Sequence, residues 1–128
     1  MAKVLGIGGV FFKCKDPAAL AAWYRDHLGF DVTDGWNGTA FQPSEDDAPD
    51  LRIVWGPFKQ DTDYFQPSGR EAMINFRVDD LEGVLEKARA GGAELAGEIE
   101  SYDYGRFGWF IDPEGYKIEL WQPIQTGA

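Results

Sequence analysis

The sequence predicts an α+β fold made of two tandem βαβββ modules, whose strands form one curved, mixed β-sheet cup with the helices on its outer face. The first observation is an internal repeat in which Gly9–Asp16 corresponds to Met73–Asp80, about 64 residues later. The second is that each copy continues through an acidic helix cap and a helix to a glycine. The third is that Arg52–Trp55 and Ile118–Trp121 close the copies similarly. Two such units are expected to pack together around a cleft.

The first module is predicted over residues 4–55. It opens with a strand over residues 4–14, which are rich in Val, Ile and Phe. Asp16 then caps a helix, Pro17 suits its first turn, and Gly29 ends it. Three further strands are predicted at Phe30–Val32, Thr39–Gln42 and Leu51–Trp55.

The second module, residues 71–123, repeats this plan. Its first strand is predicted at Met73–Val78, followed by a helix that starts with a capping box of Asp79 and Glu82. The helix is expected to stop at Gly91. The remaining strands are predicted at Glu94–Glu98, Tyr104–Ile111 and Tyr116–Trp121.

A linker over residues 56–70 joins the modules. It is rich in Gly and Pro, yet it also holds Phe58, Tyr64 and Phe65, which is unusual for a passive tether. Two interpretations stay open: the linker folds over the cleft as a lid, or it packs on the surface.

Size and composition favour a single globular domain that handles a small molecule. The chain has 128 residues, 15% of them aromatic, and a formal net charge of −10. Such an acidic protein repels phosphate backbones and anionic membranes, so no nucleic-acid or membrane partner is expected. One cysteine excludes an intrachain disulfide and suits a reducing compartment. With no leader-like or membrane-spanning pattern, we expect a soluble cytoplasmic protein.

Strand alternation separates an apolar face from a mixed face. Phe11, Asn75 and Trp121 belong to the mixed face, which is either a ligand cup or a solvent-exposed sheet surface. Whether Trp109 or Phe110 points inward depends on the turn that follows, and both stay open. The residues expected to bind a ligand are Phe11, Trp55, Met73, Asn75, Tyr104, Arg106, Trp109 and Trp121.

Three segments carry a resemblance to a known family. They are the helix end Trp23–Phe30, the strand and helix start Phe76–Leu81, and the turn and last strand Asp112–Leu120. With the repeated plan, they resemble the vicinal oxygen chelate superfamily, which includes glyoxalase I, extradiol dioxygenases, fosfomycin resistance enzymes and bleomycin-binding proteins. The resemblance covers nearly the whole chain and implies the fold and a homodimer, but it selects no reaction.

The resemblance also implies where a metal would be held. Active members bind a divalent ion with side chains from the first and last strands of each copy. The corresponding positions here are predicted to be Gly9, Met73, Ile53 and Glu119, of which only Glu119 is a hard ligand. A two-histidine site needs two imidazoles, and the chain has one, His27. We therefore expect no metal and no cofactor, with a carboxylate-and-water Mg²⁺ site as the alternative.

Glu119 is the best candidate for chemistry, because a carboxylate in an aromatic cup can act as general base or acid. Its alternative roles are to pair with Lys117, Arg77, Arg52 or Arg106, or to orient a ligand amine.

Three functions follow. The first is a metal-independent small-molecule-binding protein with an aromatic cleft. The second is an isomerase-like or lyase-like enzyme that uses Glu119. The third is a metal-dependent lyase or dioxygenase whose missing ligands come from elsewhere.

Overall fold

A mixed sheet with two helices on one face forms the fold in the computed structural model, which describes residues 2–32, 35–41 and 52–123. The helices are α1 (Pro17–Leu28) and α2 (Leu81–Ala90). The strands described are β1 (Val4–Cys14), β2 (Thr39–Phe41), β3 (Ile53–Lys59), β4 (Ala72–Val78), β5 (Glu94–Leu95), β6 (Glu100–Tyr102), β7 (Gly105–Ile111) and β8 (Lys117–Pro123).

The two copies of the repeat meet at the centre of the sheet. The strand order is β2-β3-β1-β4-β8-β7-β5, and β6 pairs with β7. β1 and β4 pair antiparallel, and each has a parallel neighbour from its own copy, β3 for β1 and β8 for β4. The α+β fold and its curved sheet are therefore as predicted.

Local sequence accounts for both helices. The Asp16 carboxylate accepts a hydrogen bond from the Ala19 amide at 3.1 Å, and Gly29 ends α1 with a left-handed φ of 75°. In α2 the predicted cap is wrong by one residue. Asp80 caps the helix through the Gly83 amide at 3.1 Å, whereas Asp79 accepts the Lys3 amide at 2.8 Å.

The first copy differs from its predicted strands. Residues Phe30–Val32 are not a strand; the Phe30 ring packs against Tyr24 and Trp55 at centroid distances of 4.8 and 5.1 Å. β3 continues to Lys59, four residues beyond the predicted end. Gln42 and Leu51, at two predicted strand ends, lie outside the described residues.

The second copy also differs from prediction at one place. The strand predicted at Glu94–Glu98 is shorter, and β6 follows it as an additional strand.

The helices cover the apolar face of the sheet. Around α2 the core consists of Val78, Leu81, Leu85, Ile118 and Leu120, all buried. Each such side chain stabilises the fold by about 1.5–3 kcal/mol on burial, which holds the helix on the sheet.

Around α1, Tyr24 contacts Trp55 with ring centroids 4.9 Å apart. The opposite, concave face is left for the cavity.

Within the described ranges, neither helix has the length and apolar character needed to cross a bilayer.

Candidate functional site

A buried carboxylate, that of Glu119, lies at the centre of the concave face. Glu119 is 4% exposed. Its Oε2 accepts hydrogen bonds from the Tyr64 hydroxyl at 2.5 Å and from the Trp109 indole N–H at 2.9 Å, and its Oε1 accepts the Asn75 Nδ2 at 2.7 Å. All three partners are neutral donors. Because a buried carboxylate needs donors in place of water, they hold Glu119 in one position.

A tight turn places Trp109 beside Glu119. The Asp112 carboxylate accepts the amides of Glu114 and Tyr116 at 2.9 and 3.0 Å, and Gly115 has a φ of 86°, which suits glycine. With this turn closed, Trp109 pairs directly with Glu119 across β7 and β8. Trp109 therefore points inward, which decides the choice that the sequence left open.

The segment between β3 and β4 delivers Tyr64 to the site. Phe65 is fully buried with Met73 and Trp109. The Ser68 hydroxyl donates to the Gly115 carbonyl at 2.5 Å, so the segment docks on the turn before β8. With both neighbours anchored, Tyr64 is held over Glu119, and the segment is neither a free tether nor only a surface covering.

The Tyr64 hydroxyl stays protonated in this position. Burial, together with the neighbouring Glu119 carboxylate, raises the pKa of Tyr64 well above the usual range of a phenol. Tyr64 therefore acts as a hydrogen-bond donor to Glu119 throughout the physiological pH range.

Asn75 presents one unpaired acceptor. The residue is 3% exposed, and because its Nδ2 donates to Glu119, its Oδ1 points away from that carboxylate. Among the described residues Oδ1 has no hydrogen-bond partner. It lies next to Gly8, where an added Cβ would be 2.3 Å from Oδ1. Gly8 therefore provides the space that the Asn75 amide occupies.

Aromatic rings form the walls of a cavity of about 570 Å³ above Glu119. Phe107 and Trp121 stack with their planes 5° apart, and Tyr102 and Tyr104 stack at 6°. The lining residues are Gly8, Phe11, Trp36, Val54, Tyr64, Asn75, Glu100, Tyr102, Tyr104, Phe107, Trp109, Glu119 and Trp121. This volume and lining are typical of a site for a small organic molecule.

A second cavity of about 540 Å³ adjoins the first, and Tyr64, Glu100 and Trp109 line both. Lys117 lies on this side: its Nζ donates to the Tyr64 carbonyl at 2.7 Å and is 5.1 and 5.5 Å from the ring centroids of Tyr64 and Trp109. Burial lowers the pKa of Lys117. Lys117 thus supports the wall between the cavities and does not line the first one.

Most of the predicted ligand-binding residues come together in the first cavity. The lining includes Phe11, Asn75, Tyr104, Trp109 and Trp121, together with the candidate catalytic residue Glu119. Their ligand-binding role stays a prediction.

Three predicted site residues lie elsewhere. Trp55 faces α1, where it contacts Phe12 and Tyr24, because Val54 is the inward residue of β3. Met73 is fully buried beneath the cavity with Phe65 and does not line it.

Arg106 is the third. It faces α2, and its guanidinium pairs with both carboxylate oxygens of Glu82 at 3.0 and 2.6 Å.

Several lining residues are not among the eight predicted ligand-binding residues: Gly8, Trp36, Val54, Tyr64, Glu100, Tyr102 and Phe107. The aromatic residues of the linker were the sequence feature that could have predicted Tyr64 in the cavity. Phe107 alternates with Trp109 on β7, so it follows once the hairpin register is known.

A known domain family matches most of the chain. The sequence profile of the glyoxalase-like domain matches residues 9–121, and the chain belongs to this family. The resemblance to the vicinal oxygen chelate superfamily is thereby confirmed. No curated protein sequence matches the chain.

Solved structures of the superfamily share the fold at low sequence identity. A methylmalonyl-CoA epimerase from Mycobacterium tuberculosis is 20% identical, with a TM-score of 0.58 over 95% of this chain and 90% of that chain. A glyoxalase/bleomycin resistance protein/dioxygenase superfamily member from Vibrio splendidus 12B01 is 18% identical, with a TM-score of 0.56 over 95% and 99%. An Mn(II)-bound glyoxalase from Novosphingobium aromaticivorans is 20% identical, with a TM-score of 0.67 over 100% of this chain and 42% of that chain.

The sheet register shows which residues surround Glu119. Gly9 pairs with both Val54 and Asn75, and Asn75 pairs with Glu119. The central positions of the concave face are therefore Gly9, Val54, Asn75 and Glu119. Of the other metal positions that the resemblance implies, Met73 lies two residues from Asn75 on the same strand, and Ile53 lies next to Val54 and faces the opposite side of β3.

These four central positions do not fit a divalent cation. Gly9 and Val54 carry no donor atom. Asn75 turns its Nδ2, not its oxygen, toward Glu119, and both Glu119 oxygens already accept protein hydrogen bonds. A hard cation needs several oxygen ligands converging on one point. No group of three or more His, Cys, Asp or Glu side chains converges within the described part of the chain.

Proposed function

We propose that this chain binds a small organic molecule in its aromatic cavity without a metal ion, with Glu119 as the polar anchor. The observation that carries the proposal is the combination of a 570 Å³ aromatic cavity with a carboxylate held by three neutral protein donors. Aromatic walls favour a flat, partly apolar ligand. Val54, which lines the same cavity, offers no second ligand for a metal.

A thermal-shift screen on protein dialysed against EDTA tests this proposal. A ligand that binds only the folded chain stabilises it by about 2.7 kcal/mol at a hundredfold excess over its Kd. We expect saturable stabilisation by small aromatic compounds in the absence of metal. A shift induced by Mn²⁺, Ni²⁺, Zn²⁺ or Mg²⁺ alone, or ligand binding that requires one of them, would contradict the proposal.

A matched pair of variants locates the binding. Val54→Trp fills the cavity from its lining, and we expect it to abolish stabilisation by ligands. Ile53→Trp places the same side chain on the opposite face of β3, where Ile53 is 39% exposed, and should leave binding intact. Equal binding by both variants would show that the ligand lies elsewhere.

A second candidate is an isomerase-like or lyase-like enzyme with Glu119 as general base or acid. It is favoured by the placement of Glu119 on the cavity floor, within reach of a bound ligand. The fold is shared with methylmalonyl-CoA epimerase, an isomerase by name. Under this hypothesis Glu119→Gln abolishes turnover while the protein stays folded, and unchanged turnover would remove the candidate.

We further propose that the chain forms a homodimer, as the superfamily resemblance implies, and acts in the cytoplasm with a small molecule as its partner. Sedimentation equilibrium should give twice the mass of one chain, 14.3 kDa. A single species at the mass of one chain across micromolar concentrations would contradict the dimer.

A further inference from the structure

We infer that the cavity takes a small aromatic amine, bound as a cation through its ammonium group on the floor formed by Glu119 and Asn75. This inference rests on the proposed function, because it names the class of ligand that the cavity binds.

The floor has only acceptors to offer. Its three donors, the Tyr64 hydroxyl, the Trp109 indole N–H and the Asn75 Nδ2, all donate to Glu119. Each carboxylate oxygen has two lone pairs, so Oε2 is saturated and Oε1 keeps one acceptor position. A ligand that reaches Glu119 must therefore bring a donor.

Asn75 supplies a second acceptor. The orientation of its amide is determined by Glu119, because a carboxylate accepts only and must face Nδ2. Its Oδ1 is consequently left beside Gly8, buried and without a partner in the described ranges. A buried acceptor without a partner is unfavourable, and a donor brought by the ligand would relieve this. An ammonium group carries three donors and no acceptor, which matches a floor of this kind.

Two hydrogen-bond donors of the cavity walls are also paired with other protein groups. The Trp121 indole N–H donates to the Tyr104 carbonyl at 3.3 Å, and the Tyr102 hydroxyl donates to Glu100. Trp36 and Tyr104 are 46% and 63% exposed and lie at the rim. Among the described residues, the Trp36 N–H and the Tyr104 hydroxyl form no hydrogen bond. The remaining walls present ring faces, which attract cations.

Charge points the same way. Glu100 and Glu119 line the cavity, and no lysine or arginine does so among the residues that the structure describes. Two bases of neighbouring strands lie outside the lining: Lys117 donates to the Tyr64 carbonyl from the second cavity, and the Arg77 guanidinium lies against Gly6. The formal net charge of −10 adds a long-range attraction for cations.

Three probes with one indole body test the inference by calorimetry at neutral pH: tryptamine, a cation; tryptophol, its neutral alcohol; and indole-3-propionate, an anion. We expect tryptamine to bind saturably and about tenfold or more tighter than tryptophol, because charge-assisted hydrogen bonds are about twice as strong as neutral ones. Indole-3-propionate should bind more weakly than either. The measurements are made with and without EDTA.

Glu119→Gln is the informative variant. Its new amide lets Asn75 turn its oxygen toward position 119, so the floor loses its charge and exposes a donor. Tryptamine affinity should then fall about tenfold or more, while tryptophol affinity stays within about threefold of the wild type. Glu86→Gln is the matched control: it removes the same charge from an exposed site on α2, outside the cavity lining, and should leave the affinity for both probes unchanged.

The outcomes separate the two proposals. Equal or tighter binding of tryptophol or indole-3-propionate overturns the amine assignment and leaves the metal-free cavity standing. If Glu86→Gln lowers tryptamine affinity as much as Glu119→Gln does, the preference for the cation comes from the overall charge of the protein. That result also overturns the amine assignment. Tryptamine binding that disappears with EDTA overturns metal independence alone. Folded protein that binds none of the three probes overturns the amine assignment, and the thermal-shift screen on EDTA-dialysed protein then decides the metal-free cavity by itself.

Discussion

The hydroxyl of Tyr64 and the carboxylate of Glu119 lie 2.5 Å apart, although 55 residues separate them in the chain. This hydrogen bond connects the segment between the two copies of the repeat to the last strand of the sheet. It gives the carboxylate one of its three donors and places an aromatic ring in the wall between the two cavities. This one hydrogen bond thus contributes to the stability of the fold, to the shape of the cavity and to the fixed position of the Glu119 carboxylate.

Tyr64→Phe removes this hydrogen bond and keeps the ring. Hydrogen bonds to charged groups contribute about 1.5–3 kcal/mol, and Tyr64 is partly exposed, so we expect the free energy of unfolding to fall by about 1–2 kcal/mol. Urea denaturation measures this change. Tyr104→Phe is the control, since the structure describes no hydrogen bond of that hydroxyl and its loss should change stability by less than about 0.5 kcal/mol. Equal effects would show that the Tyr64 bond is not stabilising.

Tyr64 also makes the free energy of unfolding fall more steeply with pH in alkaline solution. Its pKa is raised in the folded chain, so the folded state keeps a proton that the unfolded state releases above the ordinary phenol pKa of about 10. The stabilising contribution is complete below that pH and is lost as pH rises further.

We therefore expect the unfolding free energy of the wild type to fall faster than that of Tyr64→Phe above pH of about 10. Urea titrations at several alkaline pH values measure the two slopes. Parallel slopes would mean that the phenol titrates alike in the folded and unfolded chains.

Gly8→Ala tests the space beside Asn75. The new Cβ would lie 2.3 Å from Asn75 Oδ1 and 3.2 Å from the Trp121 ring, so the amide must move and its bond to Glu119 weakens. We expect a loss of about 1–3 kcal/mol, as for other insertions into packed sites, together with weaker ligand binding.

Gly69→Ala is the matched control for this substitution. An added Cβ there meets nothing within 4 Å, and no stability should be lost. A Gly8→Ala protein as stable as this control would show that the amide yields easily.

Two replacements of Glu119 distinguish the contribution of its side-chain shape to stability from that of its hydrogen bonds. In Glu119→Gln the new oxygen accepts from Tyr64 and Trp109, and a rotated Asn75 amide accepts from the new nitrogen. The loss of stability should be below about 1.5 kcal/mol. Glu119→Leu leaves all three donors without their acceptor, and those of Asn75 and Trp109 are buried, so the loss should be about 3 kcal/mol or more. Similar losses in both variants, measured by urea denaturation, would contradict this account of the floor.

Arg106 should be dispensable for the ligand. Its guanidinium pairs with Glu82 on the helix-covered side, at side-chain exposures of 33% and 61%. Arg106→Ala should therefore leave ligand affinity unchanged and lower stability by less than about 1 kcal/mol, as for other exposed ion pairs. Calorimetry with a ligand found in the screen measures the affinity. A fall of tenfold or more would show that Arg106 contributes to ligand binding.

The alternation of side chains along strands was enough to place Asn75, Glu119 and Trp121 on one face. It failed for Trp55, because the similar endings of the two copies suggested that Trp55 and Trp121 are equivalent. In the sheet, Val54 lines the cavity and Trp55 faces α1, whereas Trp121 lines the cavity, so the two tryptophans face opposite sides.

The sequence by itself determined the elements that depend on neighbours along the chain. The Asp16 cap, the Gly29 stop and the Asp112–Gly115 turn act within a few residues, so their residue types are sufficient signals. Only the tertiary structure decided what surrounds Glu119. The shift in β1 near Gly8, the inward position of Trp109 and the docking of Tyr64 depend on strand register and on contacts between distant segments. Those contacts are selected by packing in three dimensions, which leaves no periodic pattern in the sequence.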